Sequence, residues 1–157
     1  MSLMKFLLDL GILLIDSIIV TLLSTKLPDR CYDYRSWLFR ERKFENSGVF
    51  YQRVFRVKRW KDRLPEISDL IRSAFPKKSV KEFEKEYMEK FLLESCRSEF
   101  AHWCIICSAI IFLFFEGMES FFCMLLISAL VNLPFIIIQR YNRPRIILIM
   151  RHKGIEI

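Results

Sequence analysis

The residues best suited to chemistry lie close together. Arg97, Glu99 and His102 span about one and a half helical turns, with Trp103 next in line. Glu99 and His102 are three positions apart, so on a helix they share a face. A carboxylate beside an imidazole orients the ring and raises its basicity, which a general base for an alcohol needs. The competing reading is a solvated histidine at a membrane interface. The chain has only 2 His, and the other, His152, sits near the C-terminal end. His102 is therefore the candidate base, with Glu99 as its partner.

A second polar set interrupts an apolar run. Asn132 and Pro134 fall inside Phe121 to Ile138. Proline removes a helix hydrogen bond, and a buried amide needs a partner in lipid. A structural kink and a polar cleft beside His102 are both open, and Asn132 is the third catalytic candidate. Gln139, Arg140, Tyr141, Asn142, Arg143, Pro144 and Arg145 follow at once. Arginines at a helix C-terminus complement the dipole. Such a density of guanidinium and amide groups also suits a phosphate or carboxylate. Gln139, Arg140, Asn142, Arg143 and Arg145 are thus substrate-binding candidates, with Arg97 and Trp103.

Arg53, Arg56, Lys58, Arg59, Lys61 and Arg63 form a third set, with Trp60 among them. One reading is adhesion to anionic lipid. The other is a phosphate cradle for coenzyme A, a carrier protein's phosphopantetheine or a lipid phosphate, with Trp60 and Lys61 as contacts. Nucleic acid fits poorly, because the patch lies between membrane anchors. Cys104 and Cys107, inside an apolar run, read as packing residues. No zinc constellation, serine elbow or His-x4-Asp motif is present, so no metal is expected.

These residues must be positioned by membrane helices. Apolar residues make up 53% of the chain and charged ones 27%, so the two are segregated. Runs at 6–23, 100–115 and 121–138 are near the length that spans a bilayer. The expected fold is an all-α integral membrane protein. It has about three transmembrane helices, a basic amphipathic cytoplasmic segment at 26–99 and a cytoplasmic tail at 139–157, all one membrane domain. Gly117 is the turn residue of a tight hairpin between the second and third spans. An uncleaved anchor is expected of the first run, since no small-residue cleavage motif precedes Pro28. One Lys precedes that run, 19 basic residues lie between Lys26 and Arg97, and five follow Ile138. The positive-inside rule then puts the N-terminus outside and the C-terminus in the cytoplasm, in the cell membrane.

Within the cytoplasmic segment, Ser79 to Glu82 is a capping-box pattern. One long helix is expected to follow it into the second span. Pro65 and Pro76 bracket a short helix at about 66–75. Asp9 and Asp16 lie two turns apart on the first span. The expectation for Asp9 is a wet interface position. Asp16 is open between a hydrogen bond to a neighbouring span and a functional role.

Taken together, these stretches resemble the small membrane acyltransferases of the glycosyl-4,4'-diaponeurosporenoate acyltransferase family. The most specific match is Asn132-Leu133-Pro134, four apolar residues, then Gln139 to Arg145. Glu94, Arg97, Glu99, His102 and Trp103 match at the family's spacing. Pro28-Asp29, Phe44-Glu45 with Gly48, and Trp60-Lys61 complete the resemblance, which spans nearly the whole chain. Asp9 and Asp16 have no match. The resemblance implies transfer of a fatty acyl group to a sugar hydroxyl of a glycosylated carotenoid or related glycolipid. The expected partners are the lipid bilayer, a fatty acyl thioester as co-substrate and that acceptor, with no other cofactor. The rival readings are a non-catalytic membrane adaptor with a basic cytoplasmic face and, below it, a small membrane methyltransferase. Oligomeric state is not readable.

Overall fold

The structure is a computed structural model, described for residues 2–64 and 85–155. The capping box, the helix at 66–75 and the start of the long helix lie outside the described residues. All regular elements among the described residues are helical. Helix α1 is Leu3–Lys26, α2 Val49–Phe55, α3 Lys85–Ser108, α4 Ile111–Phe115 and α5 Met118–His152. Short 3-10 turns cover Asp29–Tyr32, Val57–Arg59 and Lys61–Arg63. Three stretches are long and apolar enough to cross a membrane: Leu3–Lys26, Lys85–Phe115 and Met118–His152. This is an all-α membrane protein.

Two of these helices depart from their expected ends. The second span breaks after Ser108, although no proline or glycine is there. The Ser108 hydroxyl bonds back to the Ile105 carbonyl at 2.8 Å. Such back-bonding competes with the helix ladder and bends it. The next amides take tighter partners: Ala109 N–H donates to Ile106 O and Ile110 N–H to Cys107 O. The third helix does not end at Ile138. It continues through Pro144 to His152 over 35 residues. That is roughly 50 Å of helix against a hydrocarbon core of about 30 Å. The segment expected as tail is therefore helical to residue 152.

The chain forms two compact units. The first comprises Met1–Cys31 and Arg97–Ile136. Leu13, Phe112 and Met124 form its buried core, joined by Phe6, Phe121 and Ile127, so that α1, α4 and α5 meet. Lys5 pairs with Glu116 at 3.0 Å, tying the start of α1 to the hairpin turn. Gly117 there has φ +87°, a conformation that costs glycine little. The Ser108 hydroxyl shares its one proton between the Ile105 carbonyl and Asp16 Oδ2, so Asp16 holds a neighbouring span. Asp9, expected to be wet, is 1% exposed.

The second unit comprises Tyr32–Cys96 and Ile137–Ile157. Met88, Phe91 and Leu92 of α3 pack on Ile146 and Met150 of α5. Tyr51 and Val57 pack on Tyr141, bringing α2 onto the same helix. Gly48 starts α2 with φ +83°, and a Cβ there meets the Tyr141 carbonyl oxygen at 2.7 Å. Both the backbone and the space require glycine. Gly48→Ala is expected to destabilise this unit by at least about 1–2 kcal/mol, the penalty of the left-handed region alone. Denaturant titration of the full chain in detergent checks this.

Candidate active site

In the first unit, α3 presents Arg97, Glu99, His102 and Trp103, and α5 presents Asn132. The pairing is side chain to side chain: His102 Nδ1 lies 2.7 Å from Asn132 Oδ1. The orientation of the amide follows from its other contact. Asn132 Nδ2 donates to the Ser128 carbonyl at 2.8 Å. A carbonyl only accepts, so the NH2 group must face Ser128 and Oδ1 must face the ring. Of the two neutral tautomers, the one with its proton on Nδ1 fits this bond, and that tautomer has its lone pair on Nε2. Phe135 holds the plane of the ring, stacked at 4.8 Å between centroids and 11° between planes.

Two further bonds steady this frame. The Ser128 hydroxyl donates to the Ile105 carbonyl at 3.1 Å, joining α5 to α3 one turn below His102. Arg97 pairs with Asp29 at 2.7 Å, fixing the chain after α1. Glu99 is fully buried, and its Oε1 accepts from Trp103 Nε1 at 3.4 Å. The partner on Nδ1 is Asn132, from a different helix. Ser128 and Phe135 were not singled out in the sequence. Their signal was positional: they lie four before and three after Asn132, on its face of the helix.

The second unit carries the other candidates. Arg143 is 2% exposed. Its Nη1 donates to the Phe39 carbonyl at 2.9 Å, its Nη2 to the Ser95 carbonyl and its Nε to the Ser95 hydroxyl, both at 3.2 Å. Arg140 Nη2 donates to the Leu38 carbonyl at 2.6 Å. Arg140 also pairs with the buried Glu45 at 3.4 Å. These two guanidinium groups clasp the loop before α2, which has no helix or sheet ladder of its own. Arg145 lies over the Tyr141 ring at 4.8 Å and donates to its hydroxyl. Gln139 is buried and Asn142 half-buried. Trp60 donates to the Phe55 carbonyl at 2.8 Å, and Lys61 reaches Asp62 at 3.8 Å. A small cleft is lined by Phe39, Glu41, Glu45, Arg140, Arg143 and Pro144. Among the described residues no cluster of His, Cys, Asp and Glu could hold a metal ion.

A glycosyl-4,4'-diaponeurosporenoate acyltransferase family model matches residues 35–152, most of the chain and both sets of polar residues. The chain belongs to this family. The glycosyl-4,4'-diaponeurosporenoate acyltransferase of Staphylococcus aureus strain bovine RF122 / ET3-1 is 30% identical over 133 residues, covering 82% of this chain and 78% of its own. The enzyme of strain MRSA252 gives the same identity and coverage. That of strain N315 is 29% identical over 129 residues, with the same shares covered. No solved structure matches the chain. The family match begins after α1, so Asp9 and Asp16 lie outside it. His102, Asn132 and the Gln139 to Arg145 stretch all lie inside it.

Proposed function

We propose that this protein is a membrane O-acyltransferase that moves a fatty acyl group onto a sugar hydroxyl of a glycosylated carotenoid; its relatives' name supports the acyl transfer and the glycosylated acceptor. The observation that carries the chemistry is the Asn132–His102 pair, which favours the tautomer with its lone pair on Nε2. In the proposed reaction Nε2 accepts the proton of the sugar hydroxyl. The oxygen attacks the carbonyl carbon of an acyl thioester, the carbon–sulfur bond breaks, and the departing thiolate takes the proton back. No covalent acyl-enzyme is needed. The half-buried position of His102 suits a group that must meet a sugar while its substrate's apolar tail stays in lipid.

The second unit, taken by itself, offers groups that could hold a phosphate. Arg145, Asn142, Lys61 and Trp60 are at least partly accessible there and suit a phosphate-bearing thioester. Arg140 and Arg143 add positive potential while holding the loop. Arg97, Glu99 and Trp103 shape the sugar end. The proposed topology has the N-terminus outside and the C-terminus in the cytoplasm, supported by the 19 basic residues between Lys26 and Arg97.

The test is direct. Solubilised protein is incubated with fatty acyl thioesters and glycosyl-4,4'-diaponeurosporenoate, and acylated sugar is sought by mass spectrometry. Absence of product with folded protein and every donor overturns the reading in favour of an adaptor. Asn132→Ala in the same assay is expected to slow turnover by about 5- to 150-fold, the effect of one buried hydrogen bond left unmade at the reacting group. Asn132→Gln, whose longer amide misplaces the oxygen, should fall between.

A further inference from the structure

The cations between Arg53 and Arg63 differ from those at the end of α5. Among the described residues Arg53, Arg56, Lys58, Arg59 and Arg63 make no ion pair, and all five are exposed. They border an aromatic row. Phe44 meets Phe50 edge-on at 5.1 Å between centroids, and Phe50 meets Phe55 at 6.4 Å. The outer members of that row, Phe44 and Phe55, are 60% and 42% exposed, and Val49 and Val54 are more than half exposed. Large apolar side chains in a continuous exposed row mark an interaction surface. A rim of Lys and Arg around aromatic groups is the composition of segments that lie in a lipid headgroup layer. The occupant is also at hand. In sequence the segment lies between helices long and apolar enough to span, so the chain itself keeps it near a bilayer.

We propose that this face of the second unit, Phe44, Phe50 and Phe55 with Arg53, Arg56, Lys58, Arg59 and Arg63, docks on anionic phospholipid. The aromatic row enters the boundary between headgroups and acyl chains, and the cations meet the phosphates. Arg56 isolates the charge from the fold. It caps α2 with φ +50°, its N–H donating to the Gln52 carbonyl at 3.1 Å. Glycine serves that backbone conformation better than any other residue. The arginine side chain makes no hydrogen bond or ion pair among the described residues that the cap would miss.

The experiment uses the full chain in nanodiscs of phosphatidylcholine alone and of phosphatidylcholine mixed with phosphatidylglycerol. Amide hydrogen exchange is read over residues 49–63. Exchange should be about tenfold slower with phosphatidylglycerol, and the difference should vanish in high salt. The triple variant Arg53→Gln, Arg56→Gly, Arg59→Gln should lose it. If that variant is unfolded, Tyr51 and Val57 lose protection in both lipids. The single variant Arg56→Gly then decides: it should keep the protection of Tyr51 and Val57 but narrow the difference between lipids. Equal exchange in the two lipids overturns the proposal. So does protection by an added acidic acyl carrier protein without any by phosphatidylglycerol, which makes the partner a protein. Neither result bears on the His102–Asn132 chemistry, which rests on the first unit.

Discussion

Replacing His102 by alanine should lower acyl transfer by about 10²- to 10⁴-fold, the usual contribution of a positioned general base. Its reach is structural as well as chemical, since His102 is bonded to Asn132 and stacked on Phe135. His102→Gln separates the two roles. A glutamine amide can still donate to Asn132 Oδ1, yet it offers no basic lone pair. If the imidazole is the base, the glutamine variant is as slow as the alanine variant. If the ring only braces α3 against α5, glutamine restores much of the rate. Initial rates at saturating thioester decide between these, with thermal unfolding of each variant measured alongside. Full activity of His102→Ala ends the proposed mechanism.

The largest expected loss of stability is at Glu45. Its carboxylate is 1% exposed. It accepts from the Arg42 amide at 2.6 Å, from the Tyr51 hydroxyl at 2.5 Å and from Arg140 at 3.4 Å. Glu45→Ala removes the shared acceptor of all three donors at once, although Arg140 keeps its bond to the Leu38 carbonyl. Breaking a buried ion pair by removing one partner costs about 3–5 kcal/mol. Glu45→Gln should cost less, because one oxygen still accepts. Limited proteolysis of the full chain, followed at 33–63, reads this out. The alanine variant is expected to be cut there at denaturant concentrations that the parent survives. Equal resistance would mean that the carboxylate is not what holds the loop.

Much of the frame was legible in the sequence. Three apolar runs gave three spanning helices, because backbone groups in lipid can be satisfied only within a helix or a closed barrel. Gly117 announced its turn, and Asn132 announced its need of a partner. What was not legible left no mark in the hydrophobic pattern. The break at Ser108 carries no proline or glycine, and arises from a hydroxyl turned back on Ile105. The passage of α5 beyond Ile138 was hidden by a change from apolar to charged residues. That change ends a hydrophobic run but leaves helix propensity intact, since Arg and Gln are good helix formers. Arg140 and Arg143 read as anion ligands because their type and density say so. Their carbonyl partners at Leu38 and Phe39 lie about a hundred positions away, where no local pattern could show them.

That separation has a consequence for the order in which the protein is made. The carbonyls of Leu38 and Phe39 lie 102 and 104 residues ahead of their ties to Arg140 and Arg143. At ribosomal speeds of about 5–20 residues per second, roughly 5–20 s pass between the emergence of a carbonyl and that of its donor. Throughout that interval the loop and Glu45 have only water and their near neighbours as partners. The entropy of closing so long a loop is modest, because it grows only with the logarithm of length. The delay is therefore one of availability. A nascent chain that has already threaded its first helix still carries an unfinished second unit, open to proteases and chaperones. It becomes resistant only when the last helix is released.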